Sequence, residues 1–355
     1  MTIIREKANN RPTSPVWLVR AGKRGEDEDS ALERGLAILG FGEVGNLEGA
    51  ANRDAVAHLI ERANPNDTGP RNISRTAQLN AFVLRMRKGD VVALPLKTRA
   101  GQIALGRVTG DYSYQEIDGV NRHTRPVKWV RDNVSRQDFR QDLLYSLGAL
   151  LTVCQVKRNE AERRIAVVLS GKPDPGMAGS HDEPEISEIE GDVPDLAQMA
   201  KEGVIDHIRS RFPGHDLARL VEAVLQAEGY TTELSLPGPD GGADILAGKG
   251  PLAIEDPRLC VQVKATSNAA DVNILRSLVG TMQAFRANHG LLVSWGGFTG
   301  PLRREARQNF FSVRLWDAND LVNAIYRNYT GLSDKVQAEI PLERIWILVP
   351  SEGEV

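Results

Sequence analysis

Asp244, Gln262 and Lys264 are the residues whose types and spacing best fit one reaction. Leu259-Cys-Val-Gln-Val-Lys264 alternates as a strand does, with Leu259, Val261 and Val263 on one face and Cys260, Gln262 and Lys264 on the other. Gln262 and Lys264 therefore project from the same face, roughly 6.5–7 Å apart along the strand. Phosphodiester hydrolysis needs a divalent cation held by hard oxygen ligands, to polarise the phosphate and acidify an attacking water. Asp244 can supply a carboxylate, Gln262 a neutral carbonyl oxygen, and the backbone at Val263 a further carbonyl. The Lys264 ammonium can orient the water or stabilise charge developing on the phosphate. Asp240, in Asp-Gly-Gly, reads first as turn chemistry and second as support for the site.

The elements that must position this group are legible around it. Leu217, Leu220, Val221, Val224 and Leu225 form one stripe of an amphipathic helix, and Gly229 ends it. Tyr230–Leu236 reads as a strand, 237–242 as a turn-rich break, and Asp244–Ala247 as a short apolar run. Downstream, the pattern predicts a helix over Asn273–Asn288, a buried strand over Gly290–Ser294, a helix over Arg303–Asn309, a strand over Ser312–Trp316 and a helix from Asp317. Arg303, Arg304 and Arg307 share one helix side and are candidates for phosphate contacts. The tail Ile340–Pro350 reads as an apolar strand bounded by prolines.

This order of helix, Gly-Tyr, Asp-Gly-Gly-Ala-Asp244 and Gln262-Val-Lys264 resembles the Mrr-type restriction endonucleases, a branch of the PD-(D/E)xK superfamily in which Gln replaces Glu. The resemblance covers roughly residues 205–330. It implies a DNA-cleaving enzyme that uses Mg²⁺, with Mn²⁺ as a substitute, through Asp244, Gln262 and Lys264. Family members carry a Glu near the start of the first helix, where this chain has Ala218. Glu222, one turn later, is the candidate replacement. Cutting both strands of a duplex needs two active sites, so a homodimer or higher homo-oligomer is expected.

Composition sets the frame. At 41% hydrophobic and 26% charged residues, the 355-residue chain has the balance of a soluble globular protein with room for two domains. No apolar run is long enough for a bilayer, and the first residues carry no signal-peptide core, so a cytoplasmic location is expected. Cys154 and Cys260 read as reduced thiols. Residues 1–172 hold 28 Lys and Arg against 20 Asp and Glu; residues 173–195 hold eight acids and no base. The basic first segment suits a polyanion. The acidic stretch, with four prolines and three glycines, reads as an extended linker. The expected division is 1–172, linker 173–195 and 196–355.

The first segment reads as mixed α/β. Strands are expected near 16–20, 91–94, 102–108, 110–114 and 123–130, with helices at 50–63, 74–87 and 138–150. Lys88-Gly-Asp-Val-Val92, Ala104–Tyr114 and Arg125-Pro-Val-Lys-Trp129 resemble the EVE-type domains of the PUA-like superfamily, over about residues 15–168. That resemblance implies a reader of flipped, modified bases, held between aromatic faces. Trp17, Phe41, Tyr112, Tyr114 and Trp129 are the candidate walls; Arg107, Arg122, Arg125 and Lys128 are candidate phosphate contacts. The expected fold class is α/β (α+β): a PUA/EVE-like curved sheet or barrel with helices, then a restriction-endonuclease-like α/β sandwich. The expected function is Mg²⁺-dependent cleavage of double-stranded DNA in prokaryotic restriction or anti-phage defence, directed to modified bases. Two alternatives remain: a nuclease effector switched on by a small nucleotide, and a DNA-binding module without catalysis. No phosphate-binding glycine loop is present, and no membrane partner is expected.

Overall fold

The computed structural model describes residues 14–67, 69–177, 195–236 and 242–346. Asp240 and the core of the acidic stretch, 178–194, lie outside the described residues, as do 347–355 of the tail. Two sheets organise the rest.

The first sheet is built from β1 (Val16–Val19), β2 (Leu36–Leu39), β3 (Val91–Leu96), β4 (Gln102–Val108), β5 (Ser113–Ile117), β6 (Val120–Ser135) and β7 (Val153–Gln155). The strand order is β2-β6-β4-β3-β1-β7, with β5 also paired to β6. The 16-residue β6 is its spine: the first part pairs with β2 and β5, the last with β4 across two register shifts. Such irregularities bend a strand and tighten its twist, which curls this sheet into a half-barrel. Gly106 sits at the bend, where a Cβ would lie 2.5 Å from Val127 and 2.8 Å from Trp129.

Alternation divides this sheet's two faces. Trp17, Val19, Val92 and Val108 pack on α2 (Arg53–Ala63) and α3 (Gly69–Asn80), with α1 (Glu28–Arg34) at the rim. Val16, Leu18, Val91, Ile103 and Leu105 pack on α4 (Gln141–Leu147) and α5 (Ala161–Leu169). Each such side chain, fully buried, contributes about 1.5–3 kcal/mol. β2, β7 and α5 were not expected from the sequence. Leu36–Leu39 lies between glycines and is only four residues long, so its pattern reads as loop. The helix expected at 74–87 is α3 followed by a π-helical turn, Ala81–Arg85.

The acidic stretch is tied at both ends. Asp174 is buried against the fully buried Arg164 at 2.6 Å, and Asp195 caps α6 (Leu196–Arg211) by accepting from Gln198 N.

The second sheet has the order β12-β11-β10-β9-β8, from β8 (Thr231–Leu234), β9 (Ile245–Lys249), β10 (Glu255–Lys264), β11 (His289–Ser294) and β12 (Val313–Asp317). β8, β9 and β10 are antiparallel neighbours; β10, β11 and β12 run parallel. Ile245, Val261 and Val293 face α6, α7 (Asp216–Ala227) and α10 (Ala318–Asn328). Cys260, Leu246 and Leu292 face α8 (Val272–Ala284) and α9 (Gly300–Gln308). A last helix, α11 (Asp334–Glu339), leads to Ile340, whose carbonyl accepts from Tyr329 OH. Beyond it, the expected apolar strand is absent over residues 341–346, which pair with neither edge of the sheet, and Trp346 is 98% exposed. No described helix is long and apolar enough to cross a membrane.

One hairpin turn joins the halves. Gln102 Nε2 donates to Ser267 O at 2.6 Å, and Asn319 Nδ2 donates to Lys97 O at 2.5 Å. A Cβ on Gly297 would lie 2.3 Å from Thr98 O. The turn at 97–102 thus touches the loops that follow β10, β11 and β12. From α1, the buried Glu28 holds that turn by accepting from Lys97 N (2.7 Å), Thr98 N (2.9 Å) and Thr98 Oγ1 (2.5 Å).

Candidate active site

The alternation expected for 259–264 is present, and β-sheet register extends it to Asp244. Ile245 pairs with Val261 and Leu246 with Cys260, antiparallel. One further step places Asp244 opposite Gln262, on the same face, with Cβ atoms about 5 Å apart. Val263 N donates to Asp244 Oδ2 at 2.6 Å, which fixes the carboxylate beside the C-terminal end of β10. Lys264 O accepts from Trp295 N, so even-numbered residues of β10 direct their backbone groups to β11. The carbonyl of Val263 therefore points to the other side, toward Asp244 and beyond the last β9 pairing.

Gln262 is 8% exposed, and its Oε1 has no hydrogen-bond partner. A buried acceptor left unpaired costs about 1–3 kcal/mol, so folds keep one where something else supplies the partner. An orphaned carbonyl oxygen beside a carboxylate and a free backbone carbonyl suits a hard cation. Among the described residues, no three of His, Cys, Asp and Glu gather as a metal-binding group, and this set holds a single carboxylate. Burial pushes the neighbouring Cys260 thiol up to about 11, leaving it unreactive.

The other candidates are distributed elsewhere. Glu222 accepts from Thr232 Oγ1 at 2.9 Å, and Thr232 pairs with Ala247, which pairs with Leu259. Ala247 and Leu259 belong to the α7 face. Glu222 thus lies on the opposite face of the sheet from Gln262, about 10 Å down the strand, and is not brought to the group. Arg303 faces Asp29 at 3.4 Å and Arg304 faces Glu33 at 3.8 Å, both acids on α1. These two arginines lie at the junction between halves, Arg303 with no hydrogen bond from its Nε or Nη2 among the described residues and Arg304 largely exposed; Arg307 is exposed.

In the first half, most of the aromatic residues are committed to the fold. Trp17 is buried and donates to Asp90 at 2.8 Å; Trp129 donates to Ala31 O at 2.8 Å; Tyr114 donates to Gly42 O at 2.7 Å. Phe41 packs at the edge of the core, and its carbonyl receives His123 Nε2 at 3.0 Å. A carbonyl only accepts, so Nε2 carries the proton and the neutral ring accepts from Tyr112 OH at Nδ1, 2.8 Å away. Burial holds His123 below its usual range and pushes Tyr112 up to about 12. His123 was read from sequence only as the start of a strand; nothing in its spacing marks it as the hub of this group.

Arg125 is 4% exposed, and its guanidinium donates to Phe82 O (2.6 Å), Val83 O (2.7 Å) and Gly110 O (3.3 Å). The π turn releases carbonyls from the helical ladder, and Arg125 takes them. It holds structure at that turn, with three of its five N–H donors committed there. Arg107 bonds Gly89 O at 3.2 Å, Arg122 pairs with Asp27 at 2.9 Å, and Lys128 is exposed. A cavity of ≈ 750 Å³ opens beside this turn, lined by Leu47, Met86, Arg87, Lys88, Tyr112 and Arg125 among others. Of the five aromatic candidates, only Tyr112 lines it.

Residues 209–325 match the Mrr catalytic-domain family, described as restriction endonuclease. Residues 17–146 match a family described as a domain of unknown function, DUF8426. No curated protein matches the chain. Two solved structures are similar. The DNA modification-dependent restriction endonuclease AspBHI shares 16% identity, with 71% of this chain and 68% of that one covered at a TM-score of 0.33. The MspJI restriction endonuclease in complex with a 27-mer oligonucleotide shares 14%, with 92% and 79% covered at 0.30. Likeness of that degree assigns this chain neither substrate nor assembly. The family match is of another kind: it spans α7 to α10 with Asp244, Gln262 and Lys264 inside it, and it makes residues 209–325 a restriction-endonuclease domain of the Mrr type, so that the chain is an endodeoxyribonuclease.

Proposed function

We propose that this protein cleaves double-stranded DNA in a Mg²⁺-dependent reaction, reads modified bases through its first half, and serves restriction of foreign DNA. The observation that carries the reading is the unpaired, buried Gln262 Oε1 facing Asp244 inside the Mrr-type domain. Asp244, Gln262 and the Val263 carbonyl are the residues that would hold Mg²⁺, or Mn²⁺ in its place. Bound there, the ion supplies Lewis-acid polarisation of the phosphate and a more acidic water. The Lys264 ammonium beside the scissile phosphate stabilises the negative charge that develops and orients the water. Asp244 is held in place by Val263 N, which donates to its Oδ2. Residues 1–172 are the reading module, of EVE/PUA-like kind in its motifs and curled sheet, and 196–355 the cutting module. Two copies act together to cut both strands.

The ≈ 750 Å³ cavity is within the size range of small-molecule sites and is the seat for a flipped base, with Tyr112 as its aromatic wall. Arg87 and Lys88 at its rim favour a second reading, a soluble nucleotide that switches the nuclease on. Cleavage of methylated, hydroxymethylated and unmodified duplexes with Mg²⁺, by wild type and Lys264→Ala, separates these. Cutting of modified DNA alone, lost in the variant, is the expected result. Cutting of all three keeps the catalytic assignment and removes the modified-base reader. Cutting only when a nucleotide is added supports the second reading, and equal cutting by the variant removes Lys264 from the site.

A further inference from the structure

The catalytic face continues past Lys264 onto the next two strands. Lys264 pairs with Ser294 and Ser294 with Asp317, in parallel register. Paired residues of parallel strands share a face, and Leu292 and Leu315, two positions earlier, pack with α8 and α9. A cation, a hydroxyl and a carboxylate thus form one row, with neighbouring strands about 4.8 Å apart.

The middle member has no bonding partner. Ser294 is 0% exposed, and its Oγ bonds to nothing among the described residues. Asp317 uses Oδ1 to cap α10, accepting from Asn319 N at 2.8 Å and Asp320 N at 3.1 Å. Arg303 of α9, Asp320 and Lys201 of α6 are the charged groups around it. A hydroxyl can donate once and accept twice. Between a lysine and an aspartate it has a natural use for both capacities, and neither is taken among the described residues.

Resting on the nuclease reading of this site, we propose that Ser294 is a positioning residue for Lys264, its hydroxyl bridging the Lys264 ammonium and the Asp317 carboxylate when DNA fills the site. The bridge aims the ammonium at the scissile phosphate. It acts on the chemical step and leaves DNA affinity alone, because the hydroxyl itself is fully buried beside the lysine and out of reach of DNA.

The test compares Ser294→Ala, Ser294→Val and Ser294→Thr in the full chain, with modified and unmodified duplex DNA and Mg²⁺ as probes. The rate constant for cleavage, DNA affinity and the melting temperature of the free protein are read. Deleting an unpaired buried hydroxyl leaves the melting temperature of the Ala variant unchanged or higher. Its kcat falls about 10- to 100-fold, the scale of one hydrogen bond to a charged group, while DNA affinity stays within about twofold. Thr restores kcat to within about threefold; Val, of Thr's shape without the hydroxyl, stays low. Equal rates for Thr and Val overturn the proposal, as does a melting temperature that falls with Ala, or an Ala variant that cuts like wild type. Lys264→Ala in the same assay keeps the two layers apart. If it too cuts normally, the nuclease reading of this face has failed; if it is dead and Ser294→Ala is not, only the positioning role has.

Discussion

The two regions that drew chemical expectations treat their polar atoms in opposite ways. In the first half, His123, Tyr112, Tyr114, Trp17, Trp129 and Arg125 all have partners inside the fold. At the end of the second sheet, Gln262 Oε1 and Ser294 Oγ are buried with none. A fold that satisfies its polar groups is using them for itself; one that leaves buried oxygens unpaired is holding them for something that arrives later. By this measure the face with Gln262 and Ser294 is the candidate site, and the aromatic group around His123 serves the fold, with Tyr112 alone of the five candidate walls lining the cavity.

The contrast is sharpest in two cations. Replacing Lys264 by Met is expected to lower cleavage by about 100-fold or more, as loss of a transition-state donor does, with no loss of thermal stability. Replacing Arg125 by Met is expected to do the reverse. It strands three carbonyls and destabilises the fold by on the order of 3 kcal/mol, read by denaturant unfolding. Equal stability losses in the two variants would erase the distinction.

Glu28 stands between the regions, and burial raises its carboxyl to about 7 against the donors of Lys97 and Thr98. A folded-state value above the unfolded one means that the folded protein binds the proton more tightly. The associated stability is full below about pH 4.5 and is lost as pH rises through about 7, amounting to on the order of 2–3 kcal/mol. Glu28→Gln should flatten the dependence of the melting temperature across pH 5–8. An unchanged slope would show that Glu28 ionises as freely folded as unfolded. The smallest effect is expected at Trp129, where Phe keeps an aromatic ring and loses the indole's bond to Ala31 O, which still accepts from Gly35 N, costing about 1 kcal/mol or less. If Trp129→Phe instead kept full stability and lost DNA recognition, the indole would be a base contact and the first half would hold a site of the same kind as the second.

Much of the second half was legible in the sequence, because its helices and strands are long, periodic and separated by glycine or turn residues. Asp244, Gln262 and Lys264 were legible because a strand's period of two fixes its faces. Ser294 was not: its neighbourhood with Lys264 depends on the parallel register of two strands separated by a helix. The displaced expectations share a cause. Arg303 and Arg304 look like phosphate contacts until the acids of α1, some 270 residues earlier, are folded against them. Arg125 looks exposed until the π turn presents its carbonyls. The tail's alternating apolar residues resemble a strand, yet no edge of the sheet receives residues 341–346.

The turn at 97–102 gives the molecule an architecture that the order of its segments does not suggest. A single hairpin is wedged among the loops after β10, β11 and β12, and α6 adds a 2.7 Å ion pair between Glu202 and Arg136 of the first half. The halves therefore touch through side chains and backbone as well as through the acidic stretch that connects them in sequence. Gln102, a residue of the same curled sheet as the cavity-lining Arg125, thereby bonds directly to the loop that follows Lys264.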